Sequence, residues 1–298
     1  MDFAKPTTAQ GYTSEQTDAC ERTLVTLLRG FGTFKSSLRL VGGLVPRYLT
    51  PETPPDIPAH AGTRDVDVWL NIQLLTKSES YKALGNQLKA QGFTRFVNED
   101  GNPSSWRWQF KAAEHAHVLV EFLRDTADEE PGGTVTSVED ERISALAIRH
   151  SGVVENWYEE REVTAELLDG KGKVTETVRY ADAVAFIIMK SMAFADRAEG
   201  KDAADLIHVM RYAGGPKQLA ARFAERYAMG RHLNAIVECQ EVLRRCFCDG
   251  DGVEGHERDG PVKAAIFKFG ESPGLELQDA VMRERRDVSG IVTAFLKY

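Results

Sequence analysis

Cysteine is scarce in this chain: four thiols in 298 residues, at Cys20, Cys239, Cys246 and Cys248. So few thiols, three of them crowded near one end, exclude a disulfide framework and fit a reducing compartment. Long apolar runs are also missing. The most apolar stretch, Ala183 to Met189, is cut by Lys190, far short of the ~18 residues that cross a bilayer. The opening MDFAKPTTAQGY lacks the apolar segment of a secretory signal, so a soluble, cytoplasmic protein with no membrane partner is expected. Positive charge is in deficit, with 37 Lys and Arg against 45 Asp and Glu, a net of −8. This argues against coating nucleic acid through bulk charge and leaves only a local basic patch for such contact. There is no internal repeat and no low-complexity tract. The hydrophobic fraction of 42% excludes an extended disordered chain. The length suits one large or two modest domains.

Local patterns organise the chain. Residues 17–30 have helical apolar spacing and end at Gly30, and residues 37–41 make a short apolar strand that stops at Gly42-Gly43. The following LVPRYLT reads as a short helix with Pro46 in its first turn. The proline-rich residues 50–63 read as a long loop. Residues 64–70 alternate as a strand, 77–91 form an amphipathic helix closed by Gly92, and Phe93–Val97, Trp106–Phe110 and Val118–Leu123 read as three more strands. A loop covers 125–134 and a helix is expected at 139–150. Val163–Leu168 and Lys173–Tyr180 flank Asp169-Gly170-Lys171-Gly172 as a hairpin. Helices are expected at 181–198, 202–213, 216–229, 232–248 and 276–297. The expectation is an α+β protein, with a mixed sheet flanked by helices at 1–135 and a mainly helical lobe at 136–298 that carries the 163–180 hairpin.

Chemistry concentrates in Val41-Gly42-Gly43-Leu44 and Thr63-Arg64-Asp65-Val66-Asp67-Val68. A double glycine at a strand end lets backbone approach a ligand closely, and a helix start just beyond it suits a phosphate. The alternating strand puts Asp65 and Asp67 on one face, where they repel unless a cation lies between them. Oxygen-only ligands suit Mg²⁺ or Mn²⁺ completed by substrate phosphates. Glu121 interrupts the otherwise apolar Val118–Leu123, where a lone carboxylate is costly unless paired or metal-bound. If its strand lies beside that of Asp65 and Asp67, three carboxylates converge, the equipment of two-metal phosphoryl chemistry. The bland alternatives are a solvated strand face for the aspartates and a cross-strand pair with Arg107 or Lys111 for Glu121.

Gly-Gly followed by Thr-Arg-Asp-Val-Asp-Val resembles the nucleotidyltransferase fold of the polymerase-β type. Met189 to Leu206, with Lys190, Arg197, Lys201, Asp202 and Asp205, is similar to the corresponding segment of AbiEii-type toxins, the MenT toxins among them. The resemblance spans roughly residues 20–215 in coarse order and is specific only at these two motifs. It implies metal binding by Asp65, Asp67 and Glu121, with Glu121 also a candidate base. It implies nucleotide contacts from Gly42, Gly43, Arg64, Lys190, Arg197 and Lys201. Asp205 or Asp202 would hold Lys190 or Arg197, or take part in catalysis. Gly43 stands where many members have Ser, and Glu121 where Asp is commoner. The implied activity is transfer of NMP from an NTP to a tRNA or protein acceptor by a toxin with a cognate antitoxin. A small-molecule (antibiotic) acceptor and a non-catalytic, antitoxin-like or degenerate binding module are the alternatives.

Three further features have competing readings. Lys190, Phe194, Arg197 and Lys201 share a helix face if the helix continues through Gly200, and Asp202 stands where an N-cap would. Cys239-X6-Cys246-X-Cys248 with His256 beyond lacks the paired spacing of zinc sites, so buried or incidental thiols are expected. His115 and His117 flank a strand, and Trp106 and Trp108 alternate with Arg107 as core or base-stacking residues.

Overall fold

The structure, a computed structural model, describes residues 5–71, 78–113, 116–126, 144–168 and 170–298. His115, most of the expected 125–134 loop, residues 139–143 of the expected helix and Asp169 lie outside the described residues. The chain is α+β and forms two compact units. One comprises Ser14–Val45 and Gly62–Asp182, the other Met1–Thr13, Pro46–Ala61 and Ala183–Tyr298.

Among the described residues, the first unit is a mixed sheet with two α-helices. Its strands are β1 (Leu38–Val41), β2 (Asp65–Leu70), β3 (Thr94–Val97), β4 (Pro103–Ala113), β5 (Ala116–Asp125), β6 (Leu146–Ile148), β7 (Tyr158–Glu166) and β8 (Lys173–Ala181). They run in the order β3-β4-β5-β2-β1-β8-β7, with β6 pairing β5. β2 is antiparallel to β1 and parallel to β5. The helices are α1 (Ser14–Phe31) and α3 (Ser78–Ala90), while α2 (Pro46–Leu49) belongs to the second unit.

Strand alternation divides the sheet into two faces. Val66, Val68, Val120 and Phe122 are fully buried. α1 lies over Phe122, whose ring stacks on Phe31 with centroids 5.9 Å apart. The α1 stripe of Leu24, Leu27, Leu28 and Phe31 follows the helical period that the sequence displays.

Two expectations need correction. Residues 146–148 form β6, parallel to the end of β5, instead of a helix. Ala145 and Ala147 are buried while Leu146 and Ile148 are half-buried, a period of two that a short apolar run disguises. The sheet unit also extends to Asp182, past the expected division at 135, because β8 of the 163–180 hairpin pairs parallel with β1.

The second unit holds α2 (Pro46–Leu49), α4 (Ala183–Arg197), α5 (Gly200–Tyr212), α6 (Gly215–Ala228), α7 (Leu233–Phe247), α8 (Asp259–Phe269) and α9 (Gln278–Lys297). Aromatic pairs knit its core: Phe194 on Phe247 at 5.4 Å and Phe223 on Phe295 at 4.9 Å between centroids. α8 escaped the sequence reading because Gly260-Pro261 reads as a break, yet proline is tolerated in a first turn. α4 does not continue into α5. Ala198 has φ +49°, and a side chain on Gly200 would stand 2.7 Å from the Lys263 carbonyl oxygen. The glycine therefore permits α5 to start tight against α8.

Phe31→Ala should lower stability by about 3–5 kcal/mol. Urea unfolding checks this; a loss under about 1 kcal/mol would contradict the α1 packing described.

Candidate functional site

A row of side chains crosses four adjacent strands of the sheet unit. Val41 pairs with Asp67, Asp67 with Glu121, and Glu121 with Arg107. Directly paired residues project to the same face, and Asp65, two residues before Asp67, joins them. This face is opposite the one covered by α1. One carboxylate oxygen from each of Asp65, Asp67 and Glu121 lies within 4.8 Å of the others. Asp65 and Glu121 are buried and Asp67 is half-buried.

The surroundings hold these acids in place. Thr63, fully buried, donates its hydroxyl to Asp65 Oδ1 at 2.6 Å. Thr63 is itself tied to α1, its N–H donating to Thr17 Oγ1 at 3.2 Å and its carbonyl accepting from the Cys20 thiol at 3.7 Å. Arg107 Nε donates to Glu121 Oε1 at 2.8 Å. Gly42 has φ +71°, and a Cβ there would stand 1.8 Å from Asp67 Oδ2. Only glycine lets the turn after β1 pass so close to the carboxylate. Gly43 is buried in the same short turn, Gly42–Leu44. The helix expected after it is a single turn, Pro46–Leu49. Arg64 is half-buried at the start of β2.

Three hard oxygen donors on adjacent strands fit a small divalent cation. Their mutual repulsion is the stress that a cation would relieve. Among the described residues, no other group of three His, Cys, Asp or Glu offers ligand atoms so close together. Cys20, Cys239 and Cys248 are buried. Cys239 donates to Ser191 Oγ, and burial pushes its thiol up to about 12. Trp108 is core, and Trp106 is half-buried with the Arg107 guanidinium 4.2 Å from its ring centroid. His117 is half-buried on β5.

The helical unit gathers the second set of candidate residues into an ion cluster whose Lys190, Asp202 and Asp205 are buried and whose Arg197 is exposed. Lys190 Nζ lies 2.9 Å from Asp202 Oδ1 and 2.8 Å from Asp205 Oδ2. Arg197 chelates Asp202 at 2.6 and 2.8 Å, and Lys201 reaches Asp205 Oδ1 at 2.9 Å. These cations come from two separate helices rather than one continuous face. Asp202 lies inside the first turn of α5, where Glu199 is the N-cap; its carboxylate serves Lys190 and Arg197 instead of capping. Burial opposes charge on Lys190, yet Asp202 and Asp205 outweigh it and hold the ammonium protonated beyond its ordinary range. Burial would raise Asp205, but Lys190, Lys201 and His60 together hold it well below the usual carboxylate range.

The sequence reading missed two members of this cluster. His60 Nε2 contacts Asp205 Oδ1 at 2.9 Å. Its ring meets that of His208 at 4.9 Å between centroids, and His208 Nε2 contacts Thr50 Oγ1 at 3.1 Å. The Thr50 hydroxyl donates to the Pro46 carbonyl, so His208 is the donor to Thr50. The proline-rich segment is thus fastened at both ends by histidine contacts. A separation of 145 residues between His60 and Asp205 leaves no local signal. Thr63 had one: a hydroxyl two residues before Asp65 on an alternating strand.

No protein-family model matches the chain, and no curated protein matches it.

Burial pushes the His208 imidazole down from 6.5 to about 3, and burial likewise lowers His60. Above pH 6.5 folded and unfolded rings are both neutral and contribute nothing to pH dependence. Between 6.5 and about 3 the unfolded ring binds a proton that the folded ring refuses, so stability falls with pH. The urea midpoint of the wild type should therefore drop on going from pH 7 to about 5, while carboxylates remain ionised. His208→Gln should show a shallower drop; an identical slope would contradict the buried neutral state.

Proposed function

We propose that this chain is a metal-dependent nucleotidyltransferase that moves NMP from an NTP to an acceptor hydroxyl. The observation that carries the reading is the carboxylate row Asp65, Asp67 and Glu121, with ligand atoms within 4.8 Å, closely approached by a glycine turn. On this reading those three residues hold Mg²⁺ or Mn²⁺, which supplies charge neutralisation to the triphosphate and lowers the acceptor hydroxyl's pKa. The acceptor oxygen forms a bond to the α-phosphorus as the α–β anhydride bond breaks, and pyrophosphate leaves. Glu121 or solvent takes the hydroxyl proton. Gly42 and Gly43 give phosphate oxygens access that a side chain would block, and Arg64 adds charge beside them.

The resemblance to AbiEii-type toxins supports the finer reading: a cytoplasmic toxin held in check by a cognate antitoxin, with a tRNA 3′ end or a protein hydroxyl as acceptor. It also assigns Lys190, Arg197 and Lys201 to the nucleotide and Asp205 to catalysis or to holding Lys190.

Incubation with each labelled NTP, Mg²⁺, total tRNA and a protein extract tests the proposal. Label should enter one macromolecular fraction and be lost with EDTA. Asp65→Asn and Asp67→Asn should each reduce incorporation roughly a hundredfold or more, with unchanged circular dichroism. Incorporation that survives in both variants would overturn the assignment.

A further inference from the structure

Glu121 sits between an acid and a base. In register, Asp67 flanks it on β2 and Arg107 on β4. A buried carboxylate beside two others is unfavourable unless a cation or donor compensates it. The Arg107 Nε–H, 2.8 Å from Oε1, is that compensation. Arg107 is also placed to withdraw. Its side chain is 39% exposed while that of Glu121 is 11% exposed. The Trp106 ring, 4.2 Å from the guanidinium carbon, offers a stacking surface that does not depend on Glu121. The Ser104 hydroxyl accepts the Arg107 backbone N–H at 3.0 Å, holding the strand while the side chain moves.

We propose that Arg107 is an intramolecular counter-cation to Glu121 that competes with the divalent ion for this carboxylate and yields it when the ion is taken up by Asp65, Asp67 and Glu121. The proposal rests on the metal reading of the three acids. Arg107 is thus a positioning residue: it keeps the third ligand folded and aimed without metal, and it weakens metal binding by its competition.

Mn²⁺ titration of the full chain, followed by electron paramagnetic resonance, tests this together with metal-free urea unfolding. Arg107→Met keeps an apolar stem on Trp106 and removes the charge. With the competing positive charge gone, it should bind Mn²⁺ about tenfold more tightly than wild type and unfold at lower urea without metal. Arg107→Lys, which keeps the charge, should stay near wild type, and adding Glu121→Gln to Arg107→Met should abolish the gain. Equal or weaker Mn²⁺ binding by Arg107→Met overturns this proposal alone. Absence of Mn²⁺ binding in both wild type and Arg107→Met overturns it together with the metal reading. The wild type gives a variant-free check by NMR of ¹⁵N-arginine-labelled protein. The Arg107 Nε–H signal should lose its protection from solvent exchange as Mg²⁺ is added; an unchanged signal at saturating Mg²⁺ contradicts the exchange.

Discussion

The sheet unit is organised around the mutual repulsion of Asp65, Asp67 and Glu121. Two carboxylates with oxygens within 4.8 Å of each other repel by roughly 3 kcal/mol or more at an effective dielectric constant near 20. What holds them together is strand register. Val66, Val68, Val120 and Phe122 bury the opposite face under α1. A one-residue slip would exchange every apolar side chain for a polar one on that face. The hydrophobic core therefore fixes the alignment that crowds the acids, and the acids must be accommodated where the core puts them.

Thr63 and Arg107 help to accommodate them, each through one carboxylate oxygen. Thr63 serves Asp65 from within the strand's own approach and is anchored to α1 through Thr17 and Cys20. Arg107 serves Glu121 from the next strand. A glycine turn also lies close against the Asp67 carboxylate. The helical unit meets a comparable problem differently. There Lys190 is enclosed by two aspartates, each aspartate has a further basic partner, and His60 completes the shell of Asp205. Breaking one member of such a buried cluster leaves an uncompensated charge, so the cluster holds α4, α5 and the proline-rich segment in one arrangement.

Much of this was legible in the sequence, for physical reasons that differ by element. The long helices and the strand around Asp65 declare themselves through periods of 3.6 and two. Glu121 stands out because a carboxylate in an apolar strand needs compensation, and the structure supplies Arg107, one of the two partners its neighbourhood offered. β6 was misread because three residues carry too little periodicity, and α8 because Gly260-Pro261 resembles a break. The joining of β8 to β1, and of His60 to Asp205, are long-range events that no local pattern encodes. Residues 198–200 were ambiguous in the same way. The backbone strain at Ala198 and the close approach of Gly200 to α8 become visible only once α8 is in place.

The central claim is that Asp65, Asp67 and Glu121 form a divalent-metal site that serves a nucleotide. Diffraction at the manganese absorption edge, from crystals soaked in MnCl₂ and a nucleoside triphosphate, tests it most directly. The account predicts an anomalous peak about 2.1 Å from carboxylate oxygens of these three residues, with triphosphate density beside it. Nucleotide density elsewhere and no anomalous peak at the three acids would contradict it.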